Sequence, residues 1–421
     1  MDAHVHVMTT LSVADTELAT NVGSLLVIAV VAACVPLVVG LLRLKVAEVV
    51  LLLGLGVVFG PQMLGVITIN DTIDTFNELG LGMLFFLAGF ELEAHAVQGR
   101  SGKLAISGWA TSLVLAFAIT WGLWELGYVK DLAGIAIALT STALGTLLPV
   151  IRDRGLLHSE FGTYFMGAGA LGEFGPILAI ALLLSAHSLI FTIITIIIFS
   201  LVTWVIWRSP GRLMTSRVSA IVERGHQTSS QTAVRWTVVL LLFLLGLAAV
   251  FGLDAVLGAF VAGVVLRRYA PPGEGNKLAP KIEAIGFGFF IPLFFVVSGA
   301  KLDIDSIVAN PGRLLVFFVL LLVVRGVPQY FLYRFALPET RERLQFTLYV
   351  ATALPILVAI TGLEVGQGAM LPENAAALVG AGALSVLVFP LLGDAINKAA
   401  TARAAAEHGG EGDEEFAEPS L

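Results

Sequence analysis

Long apolar runs constrain this chain more than any other feature of its sequence. Thirteen of them are long enough to cross the hydrocarbon core of a bilayer, which takes roughly 17–25 residues each. Hydrophobic residues make up 57% of the chain and charged residues 13%, and the mean hydropathy is +0.92. The sequence therefore predicts an all-α polytopic membrane protein with 13 transmembrane helices and excludes a soluble domain.

The distribution of basic residues indicates how the predicted helices are oriented. If residues 1–23 lie outside, twenty of the 24 Lys and Arg residues fall on the inner side. Lys130, Lys301 and Arg313 fall outside, and Arg325 lies within a predicted helix. Because basic residues accumulate in cytoplasmic loops, this asymmetry predicts an N-terminus outside and a C-terminus in the cytoplasm.

Short motifs recur about 210 residues apart and in the same order. Gly-Ala-Gly-Ala-Leu occurs at 167–171 and at 380–384, and Thr-Ala-Leu occurs at 142–144 and at 352–354. The matches pair predicted helices one to six with helices eight to thirteen, so that helix seven is a linker. An offset of seven helices is odd, so the second unit enters the membrane from the opposite side. The sequence predicts two inverted six-helix repeats, an arrangement typical of transporters.

Two charged residues lie near the middle of predicted helices instead of at their ends. Glu173 lies in helix six and Arg325 in helix eleven. An ionised side chain at that depth costs at least about 2.5–3.5 kcal/mol, so such residues serve a function or neutralise each other. A buried carboxylate binds either a proton or a cation with the same oxygens. Glu173 is therefore the predicted cation and proton site, and Arg325 balances charge at Glu173 or at helix ends.

Hydroxyl side chains mark the centres of helix five and its repeat partner, helix twelve. Thr140, Ser141 and Thr142 are consecutive, and Thr352 lies shortly before Pro355. Hydroxyls beside Gly and Pro in mid-membrane predict two interrupted, crossing helices with free carbonyls and dipole ends that bind ions. These four hydroxyls are predicted co-ligands of the cation, and hydroxyls that only bond back to their own helix are the alternative.

Several other classes of site are excluded or disfavoured by the sequence. Cys34 is the only cysteine, which excludes intrachain disulfides and a cysteine metal site. No Gly-rich phosphate loop follows a strand, so we expect no cofactor and no nucleic-acid partner; the ligands are transported Na⁺ or K⁺ and H⁺. The acidic tail at 396–421 is expected to be disordered and too short for a nucleotide-binding regulatory domain. The charge of Glu364 is explained by its position at the outer end of helix twelve, where the helix meets the membrane interface.

In their order along the chain, these features resemble the monovalent cation:proton antiporter-2 family, within the cation/proton antiporter superfamily. The likeness runs from about residue 24 to 395 and rests on segments 60–61, 86–92, 139–143, 257–263, 292–299 and 373–380. The resemblance implies a homodimeric secondary antiporter of the bacterial inner membrane that works by alternating access. It also implies that Glu173 is the family's ion-binding carboxylate and Arg325 its intramembrane basic residue.

The resemblance further implies a division into domains. The dimer domain is expected to hold helices one to three (24–100) and eight to ten (234–310). The core domain is expected to hold helices four to six (101–187) and eleven to thirteen (311–395). Residues 1–23 form an extracytoplasmic segment, 188–233 the linker helix with a cytoplasmic loop, and 396–421 the cytoplasmic tail.

One position departs from the pattern of the family. Related proteins usually carry Asp at the carboxylate, preceded by Asp, Asn or Gln, whereas here Gly172 precedes Glu173. A single titratable acid implies electroneutral exchange of one cation for one proton and leaves the choice between Na⁺ and K⁺ open. The alternative functions are a channel-like potassium efflux system and a sodium-coupled symporter of an organic anion. An enzyme is not expected, because no paired Asp or activated Ser is found.

Overall fold

A computed structural model gives the fold and describes residues 2–42, 47–92, 98–157, 159–184, 189–208, 231–269 and 278–409. Most of the predicted cytoplasmic loop (209–230) and the end of the predicted tail (410–421) lie outside the described residues. Every regular element in the described ranges is a helix. The helices are α1 (Asp2–Leu42), α2 (Glu48–Phe59), α3 (Asp71–Glu91), α4 (Gly99–Glu125), α5 (Leu132–Leu139), α6 (Leu144–Asp153), α7 (Glu160–Leu183), α8 (Leu189–Arg208), α9 (Thr232–Val250), α10 (Ala255–Tyr269), α11 (Ala279–Ala300), α12 (Ile304–Ala309), α13 (Pro311–Phe335), α14 (Thr340–Val350), α15 (Pro355–Gly366) and α16 (Pro372–Gly409).

Long apolar helices confirm that the protein is an all-helical membrane protein. Within the described ranges, nine helical segments are long and apolar enough to cross a membrane, counting α14 and α15 together. Three more apolar stretches are shorter, at Glu48–Phe59, Leu132–Leu148 and Ile190–Val205. The predicted ninth span corresponds to α10, which has Arg267 and Arg268 in its last turn. The predicted number of thirteen crossings stays a prediction.

Two helical rods are interrupted, each by four residues. The first break separates α5 from α6 at 140–143, and the second separates α14 from α15 at 351–354. Pro355 explains the second break, because it has no N–H and disfavours helical geometry at the residue before it. The first break has no proline; there Thr140 and Ser141 donate their hydroxyls to carbonyls three residues back, which competes with helix continuation.

The two breaks are hydrogen-bonded to each other. Ala143 N–H in the first donates to Thr352 C=O in the second at 2.7 Å. The Thr142 hydroxyl donates to Val350 C=O at 2.7 Å, at the end of α14. Backbone groups that the interruptions expose are thereby satisfied inside the protein, as a membrane interior requires.

Two helices contain one turn of π-helix, at Gly286–Phe290 in α11 and at Leu322–Gly326 in α13. Each turn comes directly before a proline at the second position of the following α-helical segment, Pro292 and Pro328. A proline inside a helix removes one N–H donor and crowds the carbonyl four residues earlier. Widening the turn relieves this conflict, and such turns often mark functional sites. Arg325 lies in the π-turn of α13.

Backbone contacts divide the chain into two compact units. The first unit contains the described residues of Met1–Glu93 and Ile177–Ala309, and the second contains those of Ala94–Pro176 and Asn310–Leu421. Both breaks and the π-turn of α13 belong to the second unit. Arg154, just after α6, forms an ion pair there with Asp394 of α16. Asp394 also accepts a 2.5 Å hydrogen bond from Tyr349 OH of α14.

Helices of the first unit approach each other at glycines, and the repeated motifs make equivalent contacts. A Cβ on Gly56 of α2 would overlap Val296 C=O of α11. A Cβ on Gly263 of α10 would overlap Phe86 C=O of α3 in the same way. In the sequence, Gly56 matches Gly263 and Phe86 matches Val296. The same relation holds for a second set of contacts, Gly299 with Leu53 and Gly89 with Phe260.

Candidate cation and proton site

Glu173 lies on α7, beside the start of the half-helix that follows the first break. Its Oε1 accepts a hydrogen bond at 3.2 Å from Gly145 N–H, in the first turn of α6. N–H groups of a first turn have no partner in their own helix and carry the positive end of the helix dipole. This contact stabilises an ionised carboxylate by about 0.3–1 kcal/mol. The side chain of Glu173 is only partly buried.

A proline one turn further along α7 frees a backbone acceptor for the first break. Pro176 has no N–H, so the C=O of Gly172 lacks its usual partner four residues later. Thr142 N–H, in the break, donates to that carbonyl at 3.0 Å. The loosening of α7 next to Glu173 therefore holds the unwound segment in place.

Gly172 leaves space that two other side chains occupy. A Cβ at this position would overlap Thr142 Oγ1 and lie 2.9 Å from Arg325 Nη2. Any larger side chain at 172 would therefore displace Thr142 or Arg325. The absence of a side chain at 172 thus allows a direct approach of the guanidinium to α7.

Arg325 is fully buried and joins three elements of the second unit. Its Nε donates to Thr142 Oγ1 at 3.0 Å, and its Nη2 donates to Ala168 C=O of α7 at 2.7 Å. Thr142 in turn donates to Val350, so the guanidinium is connected to both breaks. A buried guanidinium with charge-assisted bonds is strongly held, because losing either acceptor leaves a charge in a low-dielectric interior.

The four predicted co-ligands all lie at the two breaks, and all four are buried. Only the Thr142 hydroxyl makes hydrogen bonds outside its own helix. Thr140, Ser141 and Thr352 donate their hydroxyls to carbonyls three or four residues back, at Ile137, Ala138 and Leu348. The structure thus brings Glu173, Thr142 and Arg325 together around the first break.

Three participants were not found by sequence reasoning: Gly145 N–H, Ala168 C=O and Val350 C=O. The two carbonyls leave no sequence signal, because every residue has one. Gly145 could have been found, since a helix that restarts after a break exposes the N–H groups of its first turn to anions.

Comparisons with known proteins agree with this picture. The chain matches the family model described as the transmembrane sodium/hydrogen exchanger over residues 26–395. Among solved structures, the sodium proton antiporter MjNhaP1 of Methanocaldococcus jannaschii is similar, with a TM-score of 0.55 and 17% identity. That likeness covers 89% of this chain and 96% of the other, and it concerns the fold.

Curated relatives point to the same class. The chain is 24% identical over 363 residues to "Putative Na(+)/H(+) antiporter YjbQ" of Bacillus subtilis, covering 82% of this chain and 58% of the relative. It is 26% identical over 365 residues to the glutathione-regulated potassium-efflux system protein KefC of Escherichia coli, covering 83% of this chain and 56% of the relative. The chain therefore spans less than three fifths of the length of these relatives.

The fold, the helix breaks and these matches define the class as the cation/proton antiporters. The chain belongs to the transmembrane sodium/hydrogen exchanger family, whose model covers most of its length. The predicted resemblance to the cation/proton antiporter superfamily is confirmed.

Proposed function

We propose that the protein is a secondary active antiporter that exchanges a monovalent cation, Na⁺ or K⁺, for H⁺. The observation that carries the proposal is the hydrogen bond between the Glu173 carboxylate and Gly145 N–H at the restart of α6. A carboxylate held there binds a proton or a cation with the same oxygens, so the two ions compete. With one such acid at the site, each cycle exchanges one cation for one proton.

Oxygen atoms around the first break supply further ligands to the cation in this proposal. Monovalent and other hard cations bind carboxylate, hydroxyl and carbonyl oxygens. Thr142 is the hydroxyl nearest to the site, and Thr140, Ser141 and Thr352 reach the cation when their hydroxyls turn away from their own helices. Arg325 balances the negative charge of the site from behind Gly172, which keeps the empty site from being strongly anionic.

Alternating access is proposed to work between two inverted repeats. Equivalent glycine contacts in the first unit, where Gly56 meets α11 and Gly263 meets α3, support the repeat relation. The first unit is the proposed dimer domain and the second the proposed core domain. The proposal includes thirteen crossings, an outer N-terminus, a cytoplasmic C-terminus and a homodimer in the bacterial inner membrane.

A vesicle assay tests the proposal directly. Purified protein in proteoliposomes with an acidic lumen and a pH-sensitive dye should release protons when Na⁺, K⁺ or Li⁺ is added outside. Glu173→Gln should reduce this dequenching to the level of protein-free vesicles, because an amide cannot exchange a proton for a cation. The matched control is Glu160→Gln, an exposed acid in the first turn of the same helix, which should retain exchange. Retained exchange in folded Glu173→Gln would refute the assignment of the site.

Similarity to KefC, whose name describes a potassium-efflux system, favours a channel-like efflux system as a second candidate. A channel moves K⁺ without a proton in return. An imposed K⁺ gradient separates the two candidates. If K⁺ flux is equally fast with and without a pH change in the lumen, the protein functions as a channel.

A further inference from the structure

Asp131 and Glu364 are two acidic residues of the second unit other than Glu173, and both of their side chains are buried. Asp131 caps the N-terminus of α5 by accepting Gly134 N–H at 2.7 Å. Glu364 lies near the C-terminus of α15. The exposed fractions are 8% for Asp131 and 3% for Glu364. The sequence places Glu364 at the membrane interface, where an acidic residue exposed to water needs no special role. Because Glu364 is buried, its charge requires another explanation.

The side chains of Asp131 and Glu364 both lie beside Gly134. A Cβ on Gly134 would overlap Asp131 Oδ2 and lie 3.0 Å from Glu364 Cγ. The two carboxyl groups are close enough to interact electrostatically. In the part of the chain that the structure describes, Asp131 Oδ2 is buried and has no hydrogen-bond partner.

Two carboxyl groups in contact form a hydrogen bond when they hold one proton between them. Ionised carboxylates are acceptors only, and two of them in contact repel each other, so one of them becomes protonated. Burial is the main influence on Asp131 and raises its pKa, while the N–H groups of Gly134 and Ala133 act in the opposite direction. The contact between the two carboxyl groups and their burial both favour one shared proton.

Other charged groups at this end of the unit do not replace that proton. Glu125 at the end of α4 and Lys130 in the turn before α5 are exposed. Arg313 of α13 pairs with Glu373, an exposed residue of α16, at 3.5 Å. Asn374 of α16 donates to Tyr128 C=O in the same turn, at 3.4 Å.

We propose that Asp131 and Glu364 hold one proton between them and form a second proton-binding site, which clamps α5 to α15. The clamp holds the N-terminus of α5. This helix has eight residues and is about 12 Å long, and the first break begins directly after its C-terminus. The pair therefore lies outside the Glu173 site but sets the position of the helix that leads to it. Loss of the shared proton puts two negative charges in contact and pushes the helix ends apart.

Stability as a function of pH tests the clamp without any transported ion. A carboxyl with a raised folded pKa contributes stability that is fully present below its ordinary pKa and is lost as pH rises through the raised value. The melting temperature of the detergent-solubilised protein should therefore fall with rising pH, by about 2–4 °C attributable to the pair. Asp131→Asn should remove that part of the fall, because an amide keeps the cap and donates permanently to Glu364. Glu364→Gln should act in the same way.

Infrared spectroscopy detects the proton itself. The wild type should show the C=O stretch of a protonated carboxylic acid at neutral pH, and the band should disappear in both amide variants. Glu373→Gln, an exposed acid at the same end, is the control and should change neither the band nor the pH dependence. A wild type without that band, or one whose melting profile matches Asp131→Asn at every pH, would overturn the proposal. Because neither measurement involves transport, its failure is distinguishable from failure of the Glu173 assignment.

Discussion

The two helix breaks of the second unit have the same backbone form but different chemistry. Each leaves four residues unwound, and the sequence pairs Gly145 at the first break with Pro355 at the second. Gly145 offers its N–H to Glu173, whereas Pro355 has no N–H to offer. The repeat partner of Glu173 is Val386, so the second break lacks both the donor and the acid.

The breaks also differ in how their unwound N–H groups are satisfied. At the first, Thr142 N–H uses the Gly172 carbonyl that Pro176 leaves free. At the second, Ala353 N–H uses the hydroxyl of Ser385, the repeat partner of Gly172. At the first break, the Arg325 guanidinium approaches the space beside Gly172. At the second break, the hydroxyl of Ser385 occupies the corresponding position. The first break thus has an ionisable side chain beside it, whereas the bond between Ala353 and Ser385 at the second joins two neutral groups.

Among three further substitutions that compare the breaks, removal of the Arg325 charge should have the largest effect. Arg325→Met deletes two charge-assisted hydrogen bonds, each worth about 1.5–3 kcal/mol. Cation-dependent proton release in proteoliposomes should fall by at least about tenfold, since 1.4 kcal/mol corresponds to that factor. Arg313→Met, on the same helix, removes only a partly exposed pair with Glu373 and should leave exchange near the wild-type rate. Equal rates in both variants would show that Arg325 has no special role.

Replacing Gly172 by serine, the residue at its repeat partner Ser385, should have an intermediate effect. Gly172→Ser places atoms where Thr142 and Arg325 already lie, and overpacking of this kind costs about 1–3 kcal/mol. Thermal or denaturant unfolding should show that loss, together with weaker exchange. Gly122→Ser on α4 is the control, because nothing lies within 4 Å of its Cβ position. If Gly172→Ser is as stable as Gly122→Ser, the close approach of Arg325 to α7 is wrong.

Weakening the second break should have the smallest effect. Ser385→Ala removes the acceptor of Ala353 N–H, with an expected cost of about 1 kcal/mol in unfolding free energy. Exchange activity and its dependence on cation concentration should stay unchanged, because neither Ser385 nor Ala353 is a cation ligand in the proposed mechanism. Ser107→Ala, an exposed Ser that bonds only within α4, is the matched control for stability. A changed cation affinity in Ser385→Ala would show that the bond between Ser385 and Ala353 contributes to ion binding.

Sequence reasoning reached the helical membrane fold and the family, and it predicted the region of the site. Glu173 and Arg325 stood out because a charge in mid-membrane is rare and costly. The positions of the breaks followed from runs of hydroxyls and from Pro355, which act on the local backbone. The partners of Arg325 could not be predicted, because Thr142 and Ala168 lie 183 and 157 residues away in the chain.

By itself the sequence determined which segments are apolar helices, where they are weakened, and which side chains carry charge inside them. These properties depend on composition and on backbone chemistry over a few residues. Only the tertiary structure decided that the Glu173 carboxylate meets the start of α6, that the guanidinium of Arg325 fills the space beside Gly172, and that Asp131 meets Glu364. Such contacts arise where distant helices cross, and their distances depend on packing that no local pattern encodes.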